Sequence, residues 1–200
     1  MSQISLINKY VYDSILEKQE SRVGSKMQEP DYVAALTQNF VKKMKGVIPG
    51  VNFGGVFIHQ KPYARFGKTK CDQNRCEVGD MLVLCRKKID GCHMYNVALI
   101  QWKKSDKKSF ELSTSGEKNQ YRLYSKWMEF YLEKEEDKGY DITPKTITPG
   151  AQYGLINERH LNSLYVSMPY LKMETNADYT FGRFVWNMMN WQTGRPIDSD

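Results

Sequence analysis

A chain of 200 residues with 40% hydrophobic and 26% charged side chains has the composition of a folded globular protein with one sizeable core. Its 29 basic and 23 acidic residues give a net charge of +6, which favours an anionic partner such as nucleic acid. No stretch approaches the ~18 apolar residues of a membrane span, and MSQISLINKY lacks the basic-then-apolar order of a secretory leader, so a cytoplasmic protein without a membrane partner is expected. The cysteines at 71, 76, 85 and 92 match no common zinc spacing. Reduced thiols are expected, with a Cys71–Cys76 disulfide or a metal shared with His59 or His93 as lesser alternatives.

Ile4, Ile7, Val11 and Ile15 recur at helical spacing and predict a helix over 3–20. Gly24 and Ser25 interrupt it. A second helix is expected from about Pro30, with Val33, Leu36, Phe40, Val41 and Met44 facing inward, and with Gly46 and Pro49-Gly50 ending it. Gly54 to Phe66 reads as a strand or bent strand pair broken at Pro62, followed by a polar loop over 67–75.

Residues 75–104 hold the strongest signal. Two β-rich runs flank Asp90-Gly91, a pair suited to a tight hairpin turn with positive φ at both central residues. A two-residue loop places Ile89 opposite Cys92, Asp80 opposite Gln101 and Val78 opposite Lys103. Side chains alternate across a strand, so Asp80, Gln101 and Lys103 are predicted to share one face. KKSDKK at 103–108 makes a dense basic patch, either a solvated loop or a phosphate contact. Tyr124, Trp127, Met128 and Tyr131 predict an amphipathic helix over 120–136 with a core-facing stripe. A loop over 143–150, a short strand at 151–156, a helix over 160–171 and a last helix over 178–191 capped by Asp178 complete the reading. The GRPIDSD tail is expected to fray.

An acid at the head of one strand, followed by Gln101-Trp102-Lys103 on the next, resembles the PD-(D/E)xK nuclease superfamily in a Q-x-K variant. HQKPYARF at 59–66, CEVGD at 76–80, ALIQWKK at 98–104, Leu-Tyr-x-x-Trp at 123–127 and PGAQYGLI at 149–156 are similar to stretches of uncharacterised bacterial proteins of this size. The resemblance covers about residues 29–156. It implies a mixed α/β (α+β) fold, with a restriction-endonuclease-like mixed sheet flanked by helices. The expected organisation is a single domain over 1–200, its core at about 29–156 and a helical addition at about 157–200.

The resemblance also implies metal-dependent hydrolysis of DNA with Mg2+ or Mn2+, in a bacterial anti-phage or restriction-type setting. Asp80 would be the central ligand, Gln101 a weaker neutral one, and Lys103 would orient water or offset phosphate charge. Glu29 is the candidate helix glutamate, with Glu20 behind it. Glu77 would join the metal set through a bulge at Gly79. His59, Lys61, Arg65, Lys104, Lys107 and Lys108 are the candidate nucleic-acid contacts. Target choice would fall to a partner such as a larger ATPase or helicase subunit, and a homo-oligomer is a further expected partner state.

Gln101 in place of the usual acid, and Gly79-Asp80 in place of Pro-Asp, depart from the family pattern. They leave open a nuclease-fold subunit that binds nucleic acid or a partner protein without cleaving. Individually, Asp80 could be a turn residue, Gln101 a cross-strand hydrogen bonder and Lys103 an edge protector. A small zinc module built on the four cysteines is a third reading.

Overall fold

A computed structural model describes residues 1–22, 24–59, 61–67, 74–135, 138–157 and 164–197. Helix α1 (Gln3–Glu20) begins where the Ser2 hydroxyl accepts from Ser5 N–H at 3.1 Å, and it buries Ile7, Val11 and Ile15. The second helical segment starts at α2 (Glu29–Ala34), continues as a π-helical stretch (Ala35–Phe40) and ends in α3 (Val41–Lys43). Pro30 sits in the first turn, where a missing N–H costs nothing, and Asp31 accepts from the Gln28 N–H at 2.7 Å.

Strands β1 (Val51–Phe57), β2 (Tyr63–Arg65), β3 (Arg75–Glu77), β4 (Met81–Ile89), β5 (Cys92–Ser105) and β6 (Ser109–Glu111) follow. Then come α4 (Ser115–Lys126), β7 (Phe130–Leu132), β8 (Gly139–Tyr140), β9 (Ala151–Asn157), β10 (Leu164–Ser167) and β11 (Lys172–Glu174). A 3-10 turn (Ala177–Tyr179), α5 (Phe181–Met189) and β12 (Arg195–Ile197) close the chain.

The main sheet runs β1-β4-β5-β9-β10, with β12 also paired to β5. β5 is long enough to serve two partners along one edge: β12 covers Tyr95 to Val97, and β9 runs parallel to Leu99–Ser105. The other pairings of this sheet are antiparallel, so the fold is mixed α/β with a mixed sheet flanked by helices. β9 is buried along its whole length, as expected of an inner strand covered on both faces. Gly154 there is obligatory in the packing, because an added Cβ would stand 2.2 Å from the Trp102 ring.

Two clusters cover the sheet. One face packs Met81, Val83, Ile100 and Trp102 against α1, the π-helical stretch and α5. The other packs Leu99, Ala151 and Tyr153 against Leu123, Tyr124 and Trp127, with the smaller sheet β3-β2-β7-β8 alongside. Burying each such side chain contributes on the order of 1.5–3 kcal/mol.

The hairpin forms in the expected register, from Ile89↔Cys92 to Met81↔Ile100, with positive φ at Asp90 (49°) and Gly91 (86°). The ladder stops one pair short of Asp80–Gln101. The Val78–Lys103 pair does not form, because Val78 N–H turns to the Pro62 carbonyl at 3.1 Å in joining the smaller sheet.

Other expectations are corrected. The helix placed over 120–136 is α4, which starts earlier because Thr114 and Glu117 form a reciprocal capping box. It ends at Trp127, held in the left-handed region at φ 43°. Beyond it, Phe130 to Leu132 pair with β2 and β8 instead. Tyr124 and Trp127 are core as expected, whereas Tyr131 reaches the interior from a strand.

In the stretch read as a helix over 160–171, residues 160–163 lie outside the described residues, and Leu164–Ser167 pair with β9 as a strand. The last helix is capped by Thr180, whose hydroxyl accepts from Arg183 N–H, so Asp178 falls in the preceding 3-10 turn. Arg195–Ile197 of the expected frayed tail pair with β5, and 198–200 lie outside the described residues. The C-terminal part, expected as a helical addition, thus supplies main-sheet strands as well as α5.

Candidate functional site

The main sheet forks where β4 begins. β3 leaves toward the smaller sheet while β5 runs on to Ser105, so the buried Trp102 N–H has no strand partner on that side. Asp80 takes the vacated position. Its own N–H reaches the Ile100 carbonyl at 2.9 Å, and its Oδ2 accepts from Trp102 N–H at 2.7 Å. A buried backbone donor needs such an acceptor, and the carboxylate is fixed by supplying it. Its second oxygen, Oδ1, lies 2.7 Å from Nδ1 of His59, just beyond β1.

Glu29 completes this group from the first residue of α2. One ligand atom each from Glu29, His59 and Asp80 lies within 4.8 Å of the others. The contacts that hold α2 in place include the cap and the Arg22 ion pair of Asp31, and the Lys104 ammonium, which donates to the Met27 carbonyl at 3.2 Å. Lys104, expected at phosphate, therefore helps to anchor the chain entering Glu29.

The electrostatics follow from burial. Glu29 is pushed up from 4.5 to about 7 by desolvation and then by the negative charge of Asp80, against the attraction of Lys103 and His59. Desolvation also raises Glu77, with Asp80 adding to it. Asp80 is raised by desolvation too, opposed by the His59 contact and the Trp102 N–H. Asp80 thus raises both Glu29 and Glu77, and Glu77 adds to the rise of Glu29, beside a half-buried lysine.

Lys103 stands next to this group and to a cleft of about 320 Å³ lined by Tyr63, Arg75, Glu77, Gln101 and Glu117, among others. Its Nζ is 3.6 Å from Oε1 of Glu117. Desolvation acts to raise Glu117, but hydrogen bonds from Thr114 and Ser113 and the nearby lysine outweigh it and hold the group low. Gln101 is buried, and its Oε1 accepts from Nε2 of Gln120 at 2.5 Å while Gln120 also donates to the Glu77 carbonyl at 3.0 Å.

Asp80, Glu29, Glu77, His59 and Lys103 are thus brought into one electrostatic neighbourhood, with Gln101 on the wall of the adjoining cleft. Glu20 is exposed at the end of α1 and takes no part in the three-ligand group. Lys107 and Lys108 are exposed in the turn between β5 and β6, and Lys61 is exposed after His59. Arg65, expected at nucleic acid, is buried with its guanidinium 5.6 Å from the Tyr131 ring centroid and is no surface contact. Burial pushes the thiols of Cys76 and Cys85 up to about 12, and they lie in the clusters on opposite faces of the sheet. Cys92 is exposed on the hairpin, and Cys71 lies outside the described residues. The described cysteines do not gather for a zinc site.

Two residues of the site escaped the sequence reading. Glu117 was legible as the fourth residue of the T-x-x-E capping signature at 114–117. Gln120 had no local signal, since its partners lie 19 and 43 residues away. No family model matches the chain, and no curated protein or solved structure matches it either.

Proposed function

We propose that this protein is a divalent-metal-dependent endonuclease that hydrolyses phosphodiester bonds of DNA, with Glu29, His59 and Asp80 as the metal-holding group and Lys103 beside it. The observation that carries the reading is the convergence of those three ligand atoms within 4.8 Å, with Glu29 raised to about 7 by burial and by Asp80. Mutual repulsion of this kind is what a bound cation relieves.

The donor set fits the ion. Two carboxylates suit Mg2+ or Mn2+, and the imidazole favours Mn2+. When bound, a divalent ion polarises a phosphoryl oxygen and acidifies a water. Trp102 N–H keeps the Asp80 carboxylate from rotating. The Lys103 ammonium, at the edge of the cleft, offsets charge that develops on the phosphate. Glu117 holds that ammonium from the far side. Lys61, Lys107 and Lys108 supply exposed positive charge for the polyanion.

A second reading has its own observation. Gln101 stands where this type of site usually has an acid, and its oxygen is already engaged by Gln120. A nuclease-fold subunit that binds DNA or a partner protein without cleaving would carry such a neutral position.

The test is cleavage of plasmid and single-stranded DNA with Mg2+ or Mn2+ by wild type, Asp80→Ala and Lys103→Ala. Cleavage by wild type that is lost in both variants, with far-UV circular dichroism unchanged, supports the nuclease. Cleavage that persists in Asp80→Ala removes the assigned site. Salt-sensitive DNA binding without cleavage by wild type supports the second reading.

A further inference from the structure

On the sheet face that carries Leu99 lies a second cavity of about 560 Å³. Its floor is Leu82, Val97 and Leu99, and Leu123 and Phe130 form part of its wall. That volume is within the range of small-molecule sites, and such sites combine apolar walls with a few placed polar groups.

The polar lining residues include Asp141 and Thr143 and two with unpartnered donors, Trp127 and Arg195. The buried indole N–H of Trp127 has no hydrogen-bond partner. Arg195 donates through Nη2 to the Thr143 carbonyl, while its buried Nη1 has no partner. Leaving a buried donor unmade costs roughly 1–3 kcal/mol, so two on one cavity point to a missing acceptor. Charge agrees with this. The acid that lines the cavity, Asp141, is ion-paired with Lys145, whereas Arg195 has no counter-ion among the described residues. Trp127 is placed by its left-handed backbone at the end of α4, and Arg195 by the pairing of β12 with β5.

We propose that this cavity binds a small amphipathic anion, an apolar chain or ring carrying a carboxylate, with Arg195 and Trp127 taking the head group and the leucine-rich floor taking the body. The inference is independent of the metal-holding group and stands or falls separately from the nuclease reading.

The test is isothermal titration of the full chain with decanoate, decanol and decyltrimethylammonium, each below its micellar concentration. Decanoate is expected to bind at one site per chain, about tenfold or more tighter than decanol, as befits a charge-assisted hydrogen bond. The cation is expected not to bind. Arg195→Met should bring decanoate down to the level of decanol, and Arg195→Lys should recover part of the difference. If Arg195→Met fails to fold, the head-group series on wild type decides alone. Equal binding of anion and cation, or no binding of decanoate, overturns the proposal. So does a concentration-dependent dimer that decanoate does not dissociate, which would assign the cavity to a second copy of the chain.

Discussion

Replacing Glu29 by glutamine separates the electrostatics of the metal-holding group from any question of activity. In the folded protein this carboxyl is raised from 4.5 to about 7, first by burial and then by Asp80. A raised carboxyl means that the folded state binds its proton more tightly than the unfolded chain does. Stability is therefore lost as pH climbs from the unfolded value through the folded one, and the loss is complete somewhat above 7. At 1.36 kcal/mol per unit the shift amounts to roughly 3 kcal/mol, most of which is lost between pH 5 and pH 8. Glutamine keeps the shape and never ionises. Asp80 and Glu77 titrate in both proteins and largely cancel in the difference.

Urea unfolding without divalent ions should thus show Glu29→Gln gaining roughly 2–3 kcal/mol on wild type between pH 5 and pH 8. For a chain of this size that is a relative rise of roughly 5–10 °C in Tm. Millimolar Mn2+ at pH 8 should reverse the order by stabilising wild type more than the variant. A difference that stays within about 0.5 kcal/mol across this range would show that Glu29 titrates as an ordinary surface acid, and the charge argument for the site would fail.

Gln101→Glu should keep the fold, since the Gln120 amide can donate to a carboxylate, and should tighten Mn2+ binding measured by titration calorimetry; unchanged or weaker binding would count against Gln101 as the position of a missing acid. Glu117→Ala should lower metal-dependent cleavage about tenfold or more and alter its pH profile by releasing Lys103, while Glu117→Gln, which can keep part of the cap, should lose less. A profile identical to wild type would leave Glu117 as a helix cap alone. Thr114→Ala tests that cap and should cost about 1 kcal/mol in urea. Gly154→Ala should cost at least about 1–3 kcal/mol, because the Trp102 ring that the new Cβ would meet is fully buried; a neutral effect would show that β9 and β5 can separate locally.

Local rules make the hairpin legible in the chain itself. Asp90-Gly91 demands a turn with positive φ at both positions, and that turn sets the register. The same kind of rule accounts for the start of α1 and the strand at 151–156, where an uninterrupted apolar run is long enough for a buried strand and too short for a helix. The aromatic stripe from Tyr124 to Tyr131 misleads because its spacing suits a helix, while pairing with β2 and β8 offers Phe130 to Leu132 a better partner than the next helical turn. Leu164–Ser167 likewise form a strand because β9 presents an open edge to them.

The sequence by itself determined which carboxylate would stand at the head of β4 and that Gln101 and Lys103 would follow on the neighbouring strand, because strand alternation and a two-residue turn fix the register as far as Met81↔Ile100. Only the tertiary structure decided what Asp80 faces. The fork between β4 and β5 turns its carboxylate onto Trp102 N–H and His59, α2 delivers Glu29 from a distant part of the chain, and Gln120 claims the oxygen of Gln101. Each of those contacts joins residues about 20 or more positions apart, where no periodicity in the chain carries information and packing alone sets the distance.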